Sequence, residues 1–158
     1  MTTGSGKIYE IRLEQLVPRP IDVVFDFFSR ASNLAILTPP WLDFRMVGAP
    51  EQLEAGSLID YKLCIHKIPV RWTTQITEWE PPRRFVDIEL SGPLALWHHE
   101  HVFVPDPNGT IMQDTVCYAL PFGLLGQIAN RLLVARDLED LFDFRAQKMR
   151  ELFPGPNP

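Results

Sequence analysis

The fold is decided by one stretch near the end of the chain, residues 121–153, which reads PFGLLGQIANRLLVARDLEDLFDFRAQKMRELF. Its apolar residues recur at steps of three and four, the spacing that places side chains on one face of an α-helix. The resulting apolar stripe comprises Leu125, Ile128, Leu132, Ala135, Leu138, Phe142, Met149 and Leu152. Such a helix would be about 45 Å long at roughly 1.5 Å per residue. A stripe of that length requires a wide apolar surface to cover it.

The chain before this helix is mostly predicted strand. Alternating apolar and polar residues predict a first strand over Ile8–Val17, and short helices are predicted at 20–29 and 31–37. Six more strands are predicted at 44–47, 58–66, 70–80, 85–90, 95–104 and 111–120. Tight turns between the late strands favour antiparallel pairing. The predicted fold class is α+β, a curved antiparallel sheet of six or seven strands wrapped around a long C-terminal helix, with two short helices after the first strand.

Length and composition indicate a single domain over residues 1–158, ordered at about 7–153, with disorder expected at 1–6 and 154–158. The net charge of −5 and the lack of a basic cluster argue against nucleic-acid binding. No apolar run is long enough to span a bilayer and residues 1–7 do not resemble a signal peptide, so a cytoplasmic protein without stable membrane insertion is expected. Cys64 and Cys117 are expected to be reduced thiols.

The most unusual run is Trp97–Phe103, which reads WHHEHVF. Strand alternation puts His99 and His101 on one face together with Trp97 and Phe103. Two imidazoles at this spacing can bind zinc, but a site needs a third ligand, and the nearest carboxylate is Asp114 on the next strand. A three-residue loop at 107–109 would turn Asp114 to the opposite face. The metal interpretation then lacks an acidic ligand, so no metal site is predicted.

The other hairpin register has a different chemical consequence. It would place His101 opposite Asp114, and a His–Asp pair can orient a general base. The sequence leaves this register open. Arg145 interrupts the apolar stripe of the helix, and a buried guanidinium needs a partner. The favoured interpretation is an ion pair with a carboxylate of the sheet, and the alternative is an anchor for an acidic ligand.

The order of elements and several local motifs resemble the SRPBCC superfamily, the helix-grip fold of START and birch-pollen-allergen-like proteins. The nearest branch is the bacterial one described as ligand-binding or polyketide cyclase/dehydratase-like. The motifs are Arg71-Trp72, Glu78-Trp79-Glu80-Pro81-Pro82, Gly92-Pro93, Trp97-x-His99-x-His101-x-Phe103, Gly109-Thr110-x-Met112-x-Asp114-x-Val116-x-Tyr118, Pro121-Phe122-Gly123 and Leu141-Phe142-x-Phe144-Arg145. The resemblance spans residues 8–153. It implies a fold and a branch, and members of the superfamily range from lipid carriers to enzymes.

A sheet that grips a long helix encloses a space, and alternation predicts which residues face it. The predicted ligand-binding residues on the sheet are Tyr61, Leu63, Trp72, Thr74, Val86, Ile88, Trp97, His99, His101 and Phe103. Leu125, Ile128 and Leu132, with Ala135, are expected to form the roof. The entrance is placed between the loop 37–42 and the glycines Gly123 and Gly126.

Three functions are compatible with this arrangement. The first is a carrier or sensor that binds a small, largely apolar ligand such as a lipid, polyketide or isoprenoid-like molecule, driven by apolar burial. The second is a polyketide cyclase/dehydratase-type enzyme with His101 as general base, and whether the protein is an enzyme stays open. The third is a structural or interaction module with a filled interior. No cofactor is expected, and the chain is expected to be a monomer or weak homodimer.

Overall fold

A seven-stranded antiparallel sheet forms the body of the molecule, with strand order β1-β7-β6-β5-β4-β3-β2. The computed structural model describes residues 6–156, so residues 1–5 and 157–158 of the two segments expected to be disordered lie outside it. The strands are β1 (Tyr9–Val17), β2 (Arg45–Gly48), β3 (Leu58–Ile65), β4 (Ile68–Glu80), β5 (Arg84–Ser91), β6 (Leu96–Asp106) and β7 (Gly109–Ala119). The predicted strands are confirmed to within about two residues at most ends, and the fold class is confirmed.

Two short helices come after the first strand, as predicted. They are α1 (Ile21–Phe28) and α2 (Asn33–Ile36), and a 3₁₀ turn at Pro40–Leu42 leads into β2. Pro20 precedes α1, where its fixed φ and missing N–H are tolerated at the start of a helix. The apolar face of α1 buries Val24 and Phe25 against the sheet.

The β6–β7 hairpin corrects the favoured register. Asp106 pairs with Gly109, so the loop has two residues, Pro107 and Asn108, and not the three that the sequence favoured. The Asp106 carboxylate accepts a hydrogen bond from the Asn108 backbone N–H at 2.9 Å, which closes this short turn. Gly109 has φ 142°, and a Cβ there would clash with the carbonyl oxygen of Val17. The whole ladder is therefore shifted by one residue, and His101 pairs with Asp114.

The C-terminal helix is confirmed, but it is not one uniform rod. It consists of α3 (Gly123–Ala129), a π-helical turn at Asn130–Val134 and α4 (Ala135–Leu152). A π-helical turn adds one residue to the helix and rotates the part beyond it by about 100° relative to a regular α-helix. The apolar stripe predicted along the helix is therefore divided between two faces.

The interior is packed in two clusters on the concave face of the sheet. The larger cluster lies beneath α1 and includes Phe25, Phe85 and Phe103. The smaller lies beneath α4 and includes Trp97 and Phe142. Among the helices of residues 6–156, none is both long and apolar enough to cross a bilayer.

Candidate functional site

A cavity of about 550 Å³ lies between the concave face of the sheet and α4. Seven of the predicted ligand-binding residues line it, namely Tyr61, Leu63, Trp72, Thr74, Trp97, His99 and His101. Val134, Leu138 and Leu141 close it from the helix, and Leu37 and Trp41 belong to the loop where the entrance was predicted. This volume falls in the range typical of small-molecule sites. The cavity argues against the third function, a module with a filled interior.

The predicted roof residues do not face the cavity. The side chains of Leu125, Ile128 and Leu132 are 71%, 55% and 68% exposed. The face of the helix that carries Asn130 meets the sheet instead, and the Tyr118 hydroxyl donates a buried hydrogen bond to Asn130 Oδ1 at 2.7 Å. The leucine face points outward, and the helix first lines the cavity at Val134 and Leu138.

The glycines of the predicted entrance, Gly123 and Gly126, are not among the cavity-lining residues, and Ala135 is exposed. Gly126 is instead a close-packing position, since a Cβ there would meet the carbonyl oxygen of Pro121. Of the two sides of the predicted entrance, only the loop 37–42 borders the cavity. The ring of Trp41 in this loop packs edge-on against Phe144 of α4, with centroids 5.8 Å apart.

Three predicted sheet residues also lie outside the cavity. Val86 and Ile88 have the wrong parity, because β5 pairs Asp87 with His99 and thereby turns Asp87 toward the interior. Phe103 has the predicted parity but is packed beneath α1 against Phe25, with ring centroids 5.4 Å apart. Parity alone could not reveal that α1 covers this end of the strand.

A buried polar cluster forms one wall of the cavity. The two imidazole rings of His99 and His101 stack with centroids 3.7 Å apart. His99 Nε2 lies 2.8 Å from Asp114 Oδ1, and His101 Nε2 lies 2.7 Å from Asp87 Oδ2. His101 Nδ1 also lies 3.0 Å from Asp114 Oδ1, although off the direction of a well-aligned hydrogen bond. The two carboxylates thus enclose the ring pair from both sides.

The cluster sets the charges of its members. Burial lowers the pKa of His101, but its contacts with Asp114 and Asp87 outweigh burial and raise the pKa to about 9. Burial and the neighbouring positive His101 lower the pKa of His99. Burial raises the pKa of both carboxyls, but the opposite effect of the two histidines is larger. The net pKa of Asp87 and Asp114 is therefore lowered, and both are ionised. One imidazolium therefore faces two carboxylates.

Arg145 supplies a second positive charge, from α4. Its Nε atom is buried without a hydrogen-bond partner, and within residues 6–156 no carboxylate lies within 4.0 Å of its guanidinium. The favoured interpretation from sequence, an ion pair with a sheet carboxylate, is therefore not met. The guanidinium carbon of Arg145 lies 5.6 Å from the ring centroid of Phe142, within reach of a cation–π contact. Burial lowers the pKa of Arg145, and electrostatic interactions with Asp114, Tyr61 and Asp87 oppose this effect.

Tyr61 and Thr74 add two hydroxyl groups to the wall. Their oxygens lie 3.4 Å apart, a long hydrogen bond in which either group can donate. Burial raises the pKa of Tyr61, so its phenol stays neutral and can donate to a bound molecule. The cavity is therefore mostly apolar, with a few polar groups on the sheet and Arg145 on the helix.

Sequence reasoning missed Asp87 as a functional residue and underrated Arg145. Asp87 stands in the predicted strand FVDIEL between two apolar residues, and a carboxylate flanked in this way is a detectable signal. Which face of the sheet Asp87 occupies follows only from the pairing of β5 with β6. Arg145 interrupts the apolar stripe of the helix, but nothing in the sequence indicates whether a carboxylate reaches its guanidinium.

The fold is shared with solved structures of low sequence identity. A protein from Chromobacterium violaceum matches with a TM-score of 0.72 at 12% identity, over 94% of this chain and 98% of that one. A protein from Thermus thermophilus matches with a TM-score of 0.65 at 21% identity, over 91% and 99%. The Bet v 1-like protein Ara h 8.0201 matches with a TM-score of 0.67 at 10% identity, over 93% and 98%.

At these identities the likeness concerns the fold, and the fold is of the helix-grip type. No protein-family model matches the sequence. No curated protein sequence matches it either.

Proposed function

We propose that the protein binds a small, largely apolar molecule with an anionic or carbonyl head group, and acts as its carrier or sensor. The observation that carries this proposal is the guanidinium of Arg145, which borders an apolar cavity of about 550 Å³ and forms no ion pair within residues 6–156. Burying an unpaired charge is costly, and a ligand acid or carbonyl would relieve that cost. The aromatic walls would supply the apolar contact area.

The position of Arg145 supports an orientation for such a ligand. Arg145 of α4 lines the cavity together with the sheet residues Tyr61 and Thr74, and Tyr61 is near enough to affect the pKa of Arg145. A head group bound there could accept from Arg145 and from the Tyr61 hydroxyl together. The apolar part would then lie along Trp72, Trp97 and Leu138.

The test compares dodecanoate with dodecanol, two probes that differ in the head group. Trp72 and Trp97 line the cavity, so intrinsic fluorescence reports binding. We expect the wild type to prefer the acid, and Arg145→Met to lose about 10- to 100-fold of that preference, since a hydrogen bond to a charged group contributes roughly 1.5–3 kcal/mol. Mass spectrometry of the extracted protein would identify a co-purified ligand.

Arg136→Met is the matched control. Arg136 is an exposed arginine of the same helix and does not line the cavity. The proposal fails if the wild type binds neither probe and carries no extractable ligand. It also fails in its anchoring part if Arg145→Met and Arg136→Met keep the same preference for the acid.

A second candidate function, a polyketide cyclase/dehydratase-type enzyme, is favoured by the corrected hairpin register. His101 faces both the cavity and two carboxylates, an arrangement that can transfer a proton at an enolisable carbonyl. Incubation with a linear 1,3,5-triketone tests it, since its terminal carbon can add to the distal carbonyl and close a six-membered ring with loss of water, which mass spectrometry detects. Turnover that is abolished in His101→Gln and kept in His98→Gln would support the enzyme. Equal turnover in both variants, or none in the wild type, would reject it for this substrate class.

A further inference from the structure

We propose that Asp87, His99 and His101 form a binding site for a divalent transition-metal ion in the cavity wall. Each residue offers one donor atom, and the three donors lie within 4.8 Å of one another. Two imidazoles and one carboxylate are a ligand set suited to Zn²⁺, Co²⁺ or Fe²⁺. With metal–ligand bonds of about 2.0–2.2 Å, donors should lie roughly 3.0–3.5 Å apart. The site is completed when the two imidazole rings, now stacked at an interplanar angle of 28°, rotate so that a nitrogen of each points at the ion.

The hydrogen bond of His99 leaves one of its ring nitrogens available to the ion. Asp114 accepts from His99 Nε2, which leaves the lone pair of neutral His99 on Nδ1. That Nδ1 lies 3.8 Å from Asp87 Oδ2, which is itself 2.7 Å from His101 Nε2. His99 Nδ1, Asp87 Oδ2 and His101 Nε2 therefore lie close together, and a metal ion would replace the proton that His101 Nε2 donates to Asp87.

The outer partners of the cluster match those of metal sites. Ligating histidines usually donate their other ring N–H to a carboxylate, and Asp114 lies beside the far nitrogen of both rings. The second oxygen of Asp87 accepts from the indole of Trp97 at 3.3 Å. The three ligands are thus held by neighbours that do not bind the ion.

The cavity provides the route of entry and the open position. All three ligands line it, so an ion bound to them would face the interior space. Three protein ligands with a free fourth position are typical of catalytic rather than structural metal sites. A water molecule or a ligand oxygen would occupy that position.

Two positive charges oppose the ion. In its absence, a proton on His101 Nε2 lies between His101 and Asp87, and a divalent ion must displace it. Arg145 repels any cation bound nearby, since it also borders the cavity. The site should therefore bind metal more weakly than a structural zinc site, and removal of the guanidinium should strengthen binding.

The experiment uses the full-length, tag-free chain after treatment with a chelator. Titration with Co²⁺, followed by visible absorption, and competition with Zn²⁺ measure the affinity. We expect one saturable equivalent of metal. His99→Gln, His101→Gln and Asp87→Asn should each weaken binding by at least about 100-fold, and Asp114→Asn by roughly 10- to 100-fold.

Two control variants separate this site from other sources of binding. His98→Gln changes the adjacent histidine on the opposite face of β6 and should leave the affinity unchanged. Arg145→Met should tighten binding by at least about tenfold. Zn²⁺ should also raise the melting temperature of the wild type but not that of Asp87→Asn, which gives a readout even where a variant is destabilised.

The absence of saturable binding up to millimolar Zn²⁺ would overturn the proposal. So would an affinity that is the same in His99→Gln as in His98→Gln. The metal ion alone is the probe, so this result is independent of whether the protein binds an apolar molecule.

Discussion

One face of β6 carries His99, His101 and Phe103, and its two ends are covered by different helices. Phe103, at one end, is 2% exposed and packs against Phe25 and Phe28 of α1. His99 lies four residues away on the same face, below α4, and borders open space. The strand is regular over its whole length, so the covering helix decides whether a position becomes packed core or cavity wall. The end beneath α1 supplies stability, and the end beneath α4 carries the ionisable groups.

The largest effect is expected from truncation of the packed end. Phe103→Ala should lower the free energy of unfolding by about 3–5 kcal/mol, because it leaves a void among the rings of the α1 cluster. Leu63→Ala should cost only about 2 kcal/mol, since the Leu63 side chain already borders the cavity. Urea unfolding of both variants measures the difference.

Val104→Ala serves as the control for this pair. Val104 comes after Phe103 on the opposite, partly exposed face of β6, and its truncation should cost about 0.5 kcal/mol. Equal losses in Phe103→Ala and Leu63→Ala would mean that both ends of the interior are packed alike.

A smaller effect is expected from pH at the cavity end. Burial raises the pKa of Glu89 to about 7 from 4.5, against the backbone N–H of the cavity residue Leu94, which donates to its Oε1 at 3.1 Å. Between these two pH values only the folded chain holds the proton, so stability should fall as the pH rises from 4.5 to 7. For a half-buried group, solvent screening reduces the expected loss to about 1 kcal/mol.

Glu89→Gln should remove this part of the pH dependence. Urea unfolding of the wild type and the variant at pH 4.5 and pH 8 gives the comparison, and Glu139→Gln on the exposed face of α4 is the control. The assignment is wrong if the wild type and Glu89→Gln lose the same stability over this range.

The smallest effect is expected at the entrance. Trp41 is 59% exposed, and its main aromatic contact is the edge-on packing with Phe144. Trp41→Ala should cost about 0.5–1 kcal/mol of stability, the range of one aromatic pair, and should speed ligand release in stopped-flow fluorescence. A loss above about 2 kcal/mol would place Trp41 in the packed interior and weaken the comparison.

Much of the fold was predictable, because strands and helices leave periodic patterns in the chain. The strands from β1 to β7 and the order of elements were predicted from alternation and turn residues. The inward position of Trp97, His99 and His101 followed from the same alternation. These features depend on neighbours within a few residues.

The errors share a different origin. The parity of Val86 and Ile88 depended on strand pairing, and the role of Asp87 was missed for the same reason. The hairpin register depended on one residue of loop length, which decided whether Asp114 met the histidines. The outward position of Leu125 and Leu132 depended on which face of the helix meets the sheet, the face that carries Asn130 and bonds to Tyr118 of β7.

The sequence by itself determined which residues share a face, because a repeat of two or of 3.6 residues is a property of the local backbone. Only the tertiary structure decided which face meets which, since that depends on contacts between residues far apart in the chain. The meeting of Asp87, Asp114, His99 and His101 is such a contact set. The position of Arg145 beside the cavity is a second example. The proposed ligand site depends on Arg145, and the proposed metal site depends on the histidine–aspartate cluster.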